Sequence, residues 1–202
     1  MDIRNLNYSS ALGMVKLHSK SDTYDLGKCF AQAIARGNDD PGHIDKIALI
    51  AMRECGKSTF VQGLSSTFNQ PEILERKEND SQRHTQTLWS TKEASYVRHA
   101  DLGFLNHYPA RVLNAYRNGF LEQQDQGGVD LLENADKARG IDPDSFDCAV
   151  YIRGHRNEDG SSCRIAYIHA TQEYAERPGF QAFLKDVSER FDPYVVNPPA
   201  PS

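Results

Sequence analysis

Apolar and polar positions alternate along some stretches of the chain, recur at helical spacing along others, and lose all pattern between them. Positions 14–18 alternate well enough to predict a short strand. Asp22 then offers an N-cap for a helix carrying Leu26, Phe30, Ala33 and Ile34, which should stop near Gly37. Asn38-Asp39-Asp40-Pro41-Gly42 is a dense turn signal. Beyond it Ile47-Ala48-Leu49-Ile50-Ala51 is a continuous apolar run, which suits a strand covered on both faces of a parallel sheet. From Lys57 the period becomes helical, with Phe60, Val61, Leu64 and Phe68 on one face. The local order is strand, loop, helix.

Residues 75–92 are polar and unpatterned and predict a long insertion or mobile loop. Pattern returns over 95–105. Pro109 can start a helix bearing Val112, Tyr116 and Phe120, which ends in the polar stretch 123–128. Positions 129–133 read as a short buried strand. Positions 148–153 and 164–169 read as two strands joined by the turn Asn157-Glu158-Asp159-Gly160. A last amphipathic helix is expected over 179–191. With no repeat and no linker, the 202 residues form one expected domain, its core about 14–192 and its tail 193–202 loose.

Composition narrows the function. Apolar residues make up 39% and charged residues 25%, with a formal charge of -5, the balance of an ordinary acidic globular protein. Tight independent grip on a nucleic acid needs Lys and Arg gathered on one face, and no such cluster stands out. Cys29, Cys55, Cys148 and Cys163 form no C-x-x-C pair, and the histidines have no zinc-like spacing against them. Lys16 interrupts the apolar residues Leu12, Met14, Val15 and Leu17, so neither a signal peptide nor a membrane span fits. A reduced, cytoplasmic protein is expected.

The chemistry concentrates between the apolar run and the helix after it. Ala51-Met52-Arg53-Glu54-Cys55-Gly56-Lys57-Ser58 matches the end of the phosphate-cradling pattern G-x-x-x-x-G-K-S/T, with Ala51 where its first glycine stands. Such a loop wraps backbone N–H groups around phosphates at a helix N-terminus, extends a Lys to the terminal phosphates and offers a hydroxyl to magnesium. Ala51, Arg53, Glu54, Cys55, Gly56, Lys57, Ser58 and Thr59 are therefore the candidate nucleotide-binding residues. An accidental Gly-Lys-Ser in a plain strand-to-helix turn is the alternative. Asp101 and Glu133 each stand at the end of an expected strand, where a carboxylate can hold metal or position water, or be merely a solvated surface acid. With Ser58 they make up the candidate metal set. Cys55 reads as a small loop filler.

From here the chain resembles the TsaE family, P-loop ATPase proteins of bacterial tRNA threonylcarbamoyladenosine synthesis. Asp22-Thr23-Tyr24-Asp25-Leu26-Gly27 is similar to the family's T-x-x-L-G helix start, and Lys57-Ser58-Thr59-Phe60-Val61-Gln62-Gly63-Leu64 to its K-T-T-F-x-x-G-L. His99-Ala100-Asp101-Leu102 is similar to H-F-D-L, Gly128-Val129-Asp130-Leu131-Leu132-Glu133 to a strand ending in Glu, and 164–170 to a closing R-x-x-x-x-x-A strand. The resemblance covers most of 14–170. Ala51 and Glu54 replace two loop glycines, Gln70-Pro71-Glu72 stands for the family's Ser-Pro-Thr switch, and Gly103-Phe104 and Asn134-Ala135 replace its Tyr-Arg and Trp-Pro. The resemblance implies an α/β, three-layer P-loop NTPase-like sheet with flanking helices and a C-terminal antiparallel hairpin. It also implies ATP and Mg2+ as cofactors, weak ATPase activity, and partners in a threonylcarbamoyl-transfer complex, with tRNA reached only through them. A catalytically inactive interaction module is the alternative. A small P-loop kinase fits less well, because no arginine-rich lid or acceptor pocket stands out.

Overall fold

The alternation of β2 (Ile44–Ala51) divides the molecule into two apolar layers. Ile47, Leu49 and Ala51 join a core with Leu26, Phe30, Phe60, Leu64, Phe180 and Phe183, while Ala48 and Ile50 join a second with Ile3, Leu132, Ala135, Phe146 and Ala149. Coverage on both faces explains the unbroken apolar run of 47–51 within it. Each fully buried Leu or Ile in it contributes roughly 1.5–3 kcal/mol.

The computed structural model describes residues 1–6, 10–37, 44–52, 54–67, 72–75, 86–90, 96–101, 128–137, 142 and 144–195. Among them β1 (Gly13–Leu17), β2, β3 (Glu72–Glu75), β4 (Gln86–Ser90), β5 (Tyr96–Asp101), β6 (Gly128–Glu133), β7 (Cys148–Arg156) and β8 (Ser162–Ala170) form one sheet, ordered β1-β8-β7-β2-β6-β5-β4-β3. The central strands β5, β6, β2 and β7 run parallel. Antiparallel strands extend the sheet on both sides, β8 and β1 beyond β7 and β4 and β3 beyond β5. This is an open, mixed α/β sheet with flanking helices and a C-terminal antiparallel hairpin, consistent with a P-loop NTPase-like fold.

The helices α1 (Lys20–Gly37), α2 (Lys57–Ser65) and α4 (Pro178–Arg190) lie where helices are expected, α2 ending at Ser65, short of Phe68, and a short helix α3 (Gln172–Ala175) stands where none is expected. Phe30 anchors three of them, with ring centroids 5.8 Å from Phe60 of α2 and 5.1 Å from Phe183 of α4. A side chain on Gly27 would collide with the Phe60 carbonyl, and one on Gly63 with the Tyr24 carbonyl, so both glycines permit the close crossing of α1 and α2. The second core is covered by the N-terminal segment and a short 3-10 turn, Ala135–Lys137. The helix expected from Pro109, the loop residue Arg53 and residues 196–202 lie outside the described residues, while the start of the tail expected to be loose is tied to β1, Pro193 bridging Val15 and the Tyr194 N–H donating to the Met14 carbonyl at 2.9 Å.

Two expectations need correction. The α1 cap is Ser19, three residues before Asp22: the Ser19 Oγ accepts from the Asp22 N–H at 3.1 Å, and an Asp22 carboxylate oxygen accepts from the Ser19 N–H at 3.1 Å. Asp22 is the returning arm of a capping box, not the cap. Within 75–92, residues 86–90 form β4, a strand near the sheet edge whose Gln-Thr-Leu-Trp-Ser sequence lacks alternation. Among the described residues no helix is long and apolar enough to cross a membrane.

Candidate functional site

After Ala51 the backbone must reverse tightly to start α2. The Cys55 N–H donates to the Met52 carbonyl at 3.2 Å, and two residues of the loop adopt left-handed backbone, Glu54 at φ 65° and Gly56 at φ 98°. Such a conformation costs an L-residue with a side chain roughly 1–2 kcal/mol, so glycine suits it. At Gly56 space is tight as well, since a Cβ there would lie 3.1 Å from Thr23 Cγ2, which would have to give by a few tenths of an ångström. Glu54 holds a glycine-type backbone without being glycine, at a position where the resembled family has one. Cys55 is half-buried and packs against the helix-side core, which agrees with its reading as filler.

No side chain caps α2, and its first turn carries no acidic residue. Its N-terminal N–H groups and the positive end of its dipole are therefore offered to an anion. Lys57 is half-buried and its Nζ donates to the Ala51 carbonyl at 3.2 Å, so the ammonium lies across the loop it belongs to. Ser58 is exposed and Thr59 half-buried on the same first turn.

Sheet register brings the two candidate carboxylate residues to the same level. Leu49 of β2 pairs with Glu133 of β6, and Glu133 pairs with Asp101 of β5. All three stand at the carboxyl ends of adjacent parallel strands, two residues short of the loop, where open α/β sheets place ligands. Val129 and Leu131 face the helix-side core, so Glu133 faces the side on which α2 lies. It is 6% exposed, and its Oε1 lies 2.8 Å from Nε2 of His99 on β5. For Asp101 only the backbone is described.

Three neighbours of the loop stand in the quoted motifs but have no role assigned from sequence. His99 holds Glu133, Thr23 closes the space beside Gly56, and Arg164 of β8 comes from the far end of the chain to lie beside it. His99 and Asp101 alternate on one strand, a weak hint. Only the register reveals the others. Among the described residues no group of three or more His, Cys, Asp or Glu side chains could hold a metal.

The sheet, the left-handed glycine and the lysine that follows it are consistent with a P-loop NTPase-like architecture. No family model and no curated protein matches the sequence. Among solved structures, the crystal structure of YdiB from Bacillus subtilis overlaps 87% of this chain and 93% of its own, at 16% identity and a TM-score of 0.44.

Proposed function

We propose that this chain is a TsaE-like ATP-binding protein that assists tRNA threonylcarbamoyladenosine modification through protein partners, with weak or impaired ATP hydrolysis. One observation supports the nucleotide reading above the rest: a buried parallel strand leads through a left-handed Gly56 into an uncapped helix, with Lys57 folded over the loop. In this reading the N–H groups of residues 54–59 cradle the phosphates, with Ala51 and Arg53 completing the loop, and Lys57 leaves the Ala51 carbonyl for the terminal phosphates. Magnesium, when bound, neutralises charge on the phosphates. Ser58, Asp101 and Glu133 offer it only oxygen donors, the hard set this ion takes, and too few for a cage, so it arrives with the nucleotide. Glu133, held by His99, organises water or metal beside Asp101. The tRNA reading rests on the order and spacing of the sequence motifs, and the acidic balance of the chain favours docking on a protein complex over direct tRNA contact.

The test is phosphate release by the purified chain, alone and with the host's threonylcarbamoyl-transfer proteins, joined to a co-purification from cell extract. Slow release that falls further in Glu133→Ala, with those partners recovered, is the expected result. Brisk release insensitive to that substitution would remove Glu133 from its role, and failure to recover the partners would remove the tRNA reading. The competing reading, an inactive interaction module, draws on the same loop: Lys57 bonded to its own backbone and Glu54 beside the cradle describe a loop closed on itself.

A further inference from the structure

Arg164 occupies a place in the sheet that brings a cation to the loop from the side opposite β6. It pairs with Gly154 of β7, two residues beyond Ile152, and Ile152 pairs with Ala51. Arg164 therefore stands past the carboxyl end of β2, at the level of the loop. Ala166 and Ile168, which alternate with it along β8, face the helix-side core, so Arg164 points to the face on which α2 lies. Gly154 leaves room between them, since a Cβ there would meet only the Cys55 Sγ, at 3.9 Å. The loop rests across this glycine, and a Cβ on Gly56 would lie 3.7 Å from Arg164 Nε.

The fold gives this charge little among the described residues. Arg164 is half-buried, forms no ion pair among the described residues, and its hydrogen bond to the Ser19 carbonyl is long, at 3.5 Å. A guanidinium has five N–H donors in a planar fork suited to phosphate oxygens. Drawing a cation partly out of water is easier with a counter-charge, and an anion at the adjoining helix N-terminus would supply one.

We propose that Arg164 is a second cationic contact of the phosphate chain, facing Lys57 across the loop, so that the ligand class is a polyphosphate held from both sides. The assignment rests on the nucleotide-binding reading above. It adds positive charge beside a loop in which Arg53 and Lys57 stand with the acidic Glu54.

The experiment is calorimetric titration of the full chain and of Arg164→Gln and Arg164→Lys with Mg·ATP, pyrophosphate and adenosine, alongside their unliganded melting curves. Arg164→Gln should weaken Mg·ATP and pyrophosphate about tenfold, the range of one charge-assisted contact, while leaving adenosine unchanged. Arg164→Lys should fall between, and it carries the test if the Gln variant melts early. Equal affinity for Mg·ATP in all three proteins overturns the role of Arg164 and leaves the nucleotide site standing. Equal weakening of adenosine overturns the phosphate contact in favour of a base contact. Absence of binding of any probe by the parent overturns the nucleotide reading and this proposal together.

Discussion

At its amino end β2 carries Asp45, buried at 5% exposure, with every neighbour matched to it. Its Oδ1 accepts from Arg177 at 2.6 Å, its Oδ2 accepts from the Tyr174 hydroxyl at 3.5 Å, and the guanidinium lies 4.8 Å over the Tyr174 ring. Asp147 beside it accepts from the Lys46 N–H at 2.8 Å. At the carboxyl end of the same strand Lys57 has only a backbone carbonyl as a hydrogen-bond partner among the described residues, Arg164 has no carboxylate partner among them, and Glu54 holds a strained backbone. Polar groups that satisfy one another serve the fold. Polar groups arranged around an open helix end, at a cost in strain, are arranged for something else.

The largest expected effect belongs to the amino end. Arg177→Ala leaves a buried carboxylate unpaired and should lower stability by about 3 kcal/mol, the low end for a broken buried pair because Arg177 is 26% exposed. Urea unfolding measures this, and nucleotide affinity should not change. A matching loss of affinity would show that the two ends are coupled. At the carboxyl end, Gly56→Ala should lower stability by about 1–2 kcal/mol from backbone strain and contact with Thr23, and should also weaken Mg·ATP. A variant as stable as the parent would mean that the loop relaxes freely.

His169 tests the amino side by pH. Its Nδ1 lies 3.4 Å from Ser10 Oγ, its buried Nε2 has no partner among the described residues, and desolvation pushes the imidazole below its ordinary pKa of 6.5. Below that pH the unfolded chain takes up a proton that the folded chain resists. The stability is therefore complete above 6.5 and is lost as pH falls below it, by at most about 1.4 kcal/mol per pH unit. His169→Gln should flatten that slope in urea titrations at several pH values, and an unchanged slope would reassign the acid sensitivity. The smallest effect is expected for Glu54→Gly, which relieves strain and removes a like charge. Stability should change by less than about 1 kcal/mol while Mg·ATP tightens roughly threefold. Weaker binding would mean that the loop is adapted to another ligand. Adding Ala51→Gly should help less, because the Ala51 methyl is 3% exposed and part of the core.

The strands around β2 and the C-terminal hairpin were legible because burial on both faces, or a turn between alternating runs, leaves a pattern that one sequence carries. The loop was legible for a different reason: Gly56, Lys57 and Ser58 are adjacent in the chain. Glu133 could be read because it ends an apolar run. The motifs include His99 and Arg164 but not their place beside Glu133 and the loop, since strands distant in sequence bring them there and no local pattern records a register. The Ser19 cap leaves no distinct signal, because Asp22, equally suited to a cap, stands closer to the apolar periodicity. The β4 strand was hidden because its sequence alternates on neither face.

The central claim, that the carboxyl end of β2 is built around a nucleotide, is tested most directly by melting the parent and Lys57→Ala with and without Mg·ATP. A ligand bound only by the folded chain adds about 2.7 kcal/mol at a hundredfold excess over its dissociation constant. The parent should melt at a higher temperature as Mg·ATP rises into the millimolar range, and Lys57→Ala should show no shift while keeping its unliganded melting temperature. A parent that shows no shift, or a Lys57→Ala protein stabilised as much as the parent, would contradict the claim.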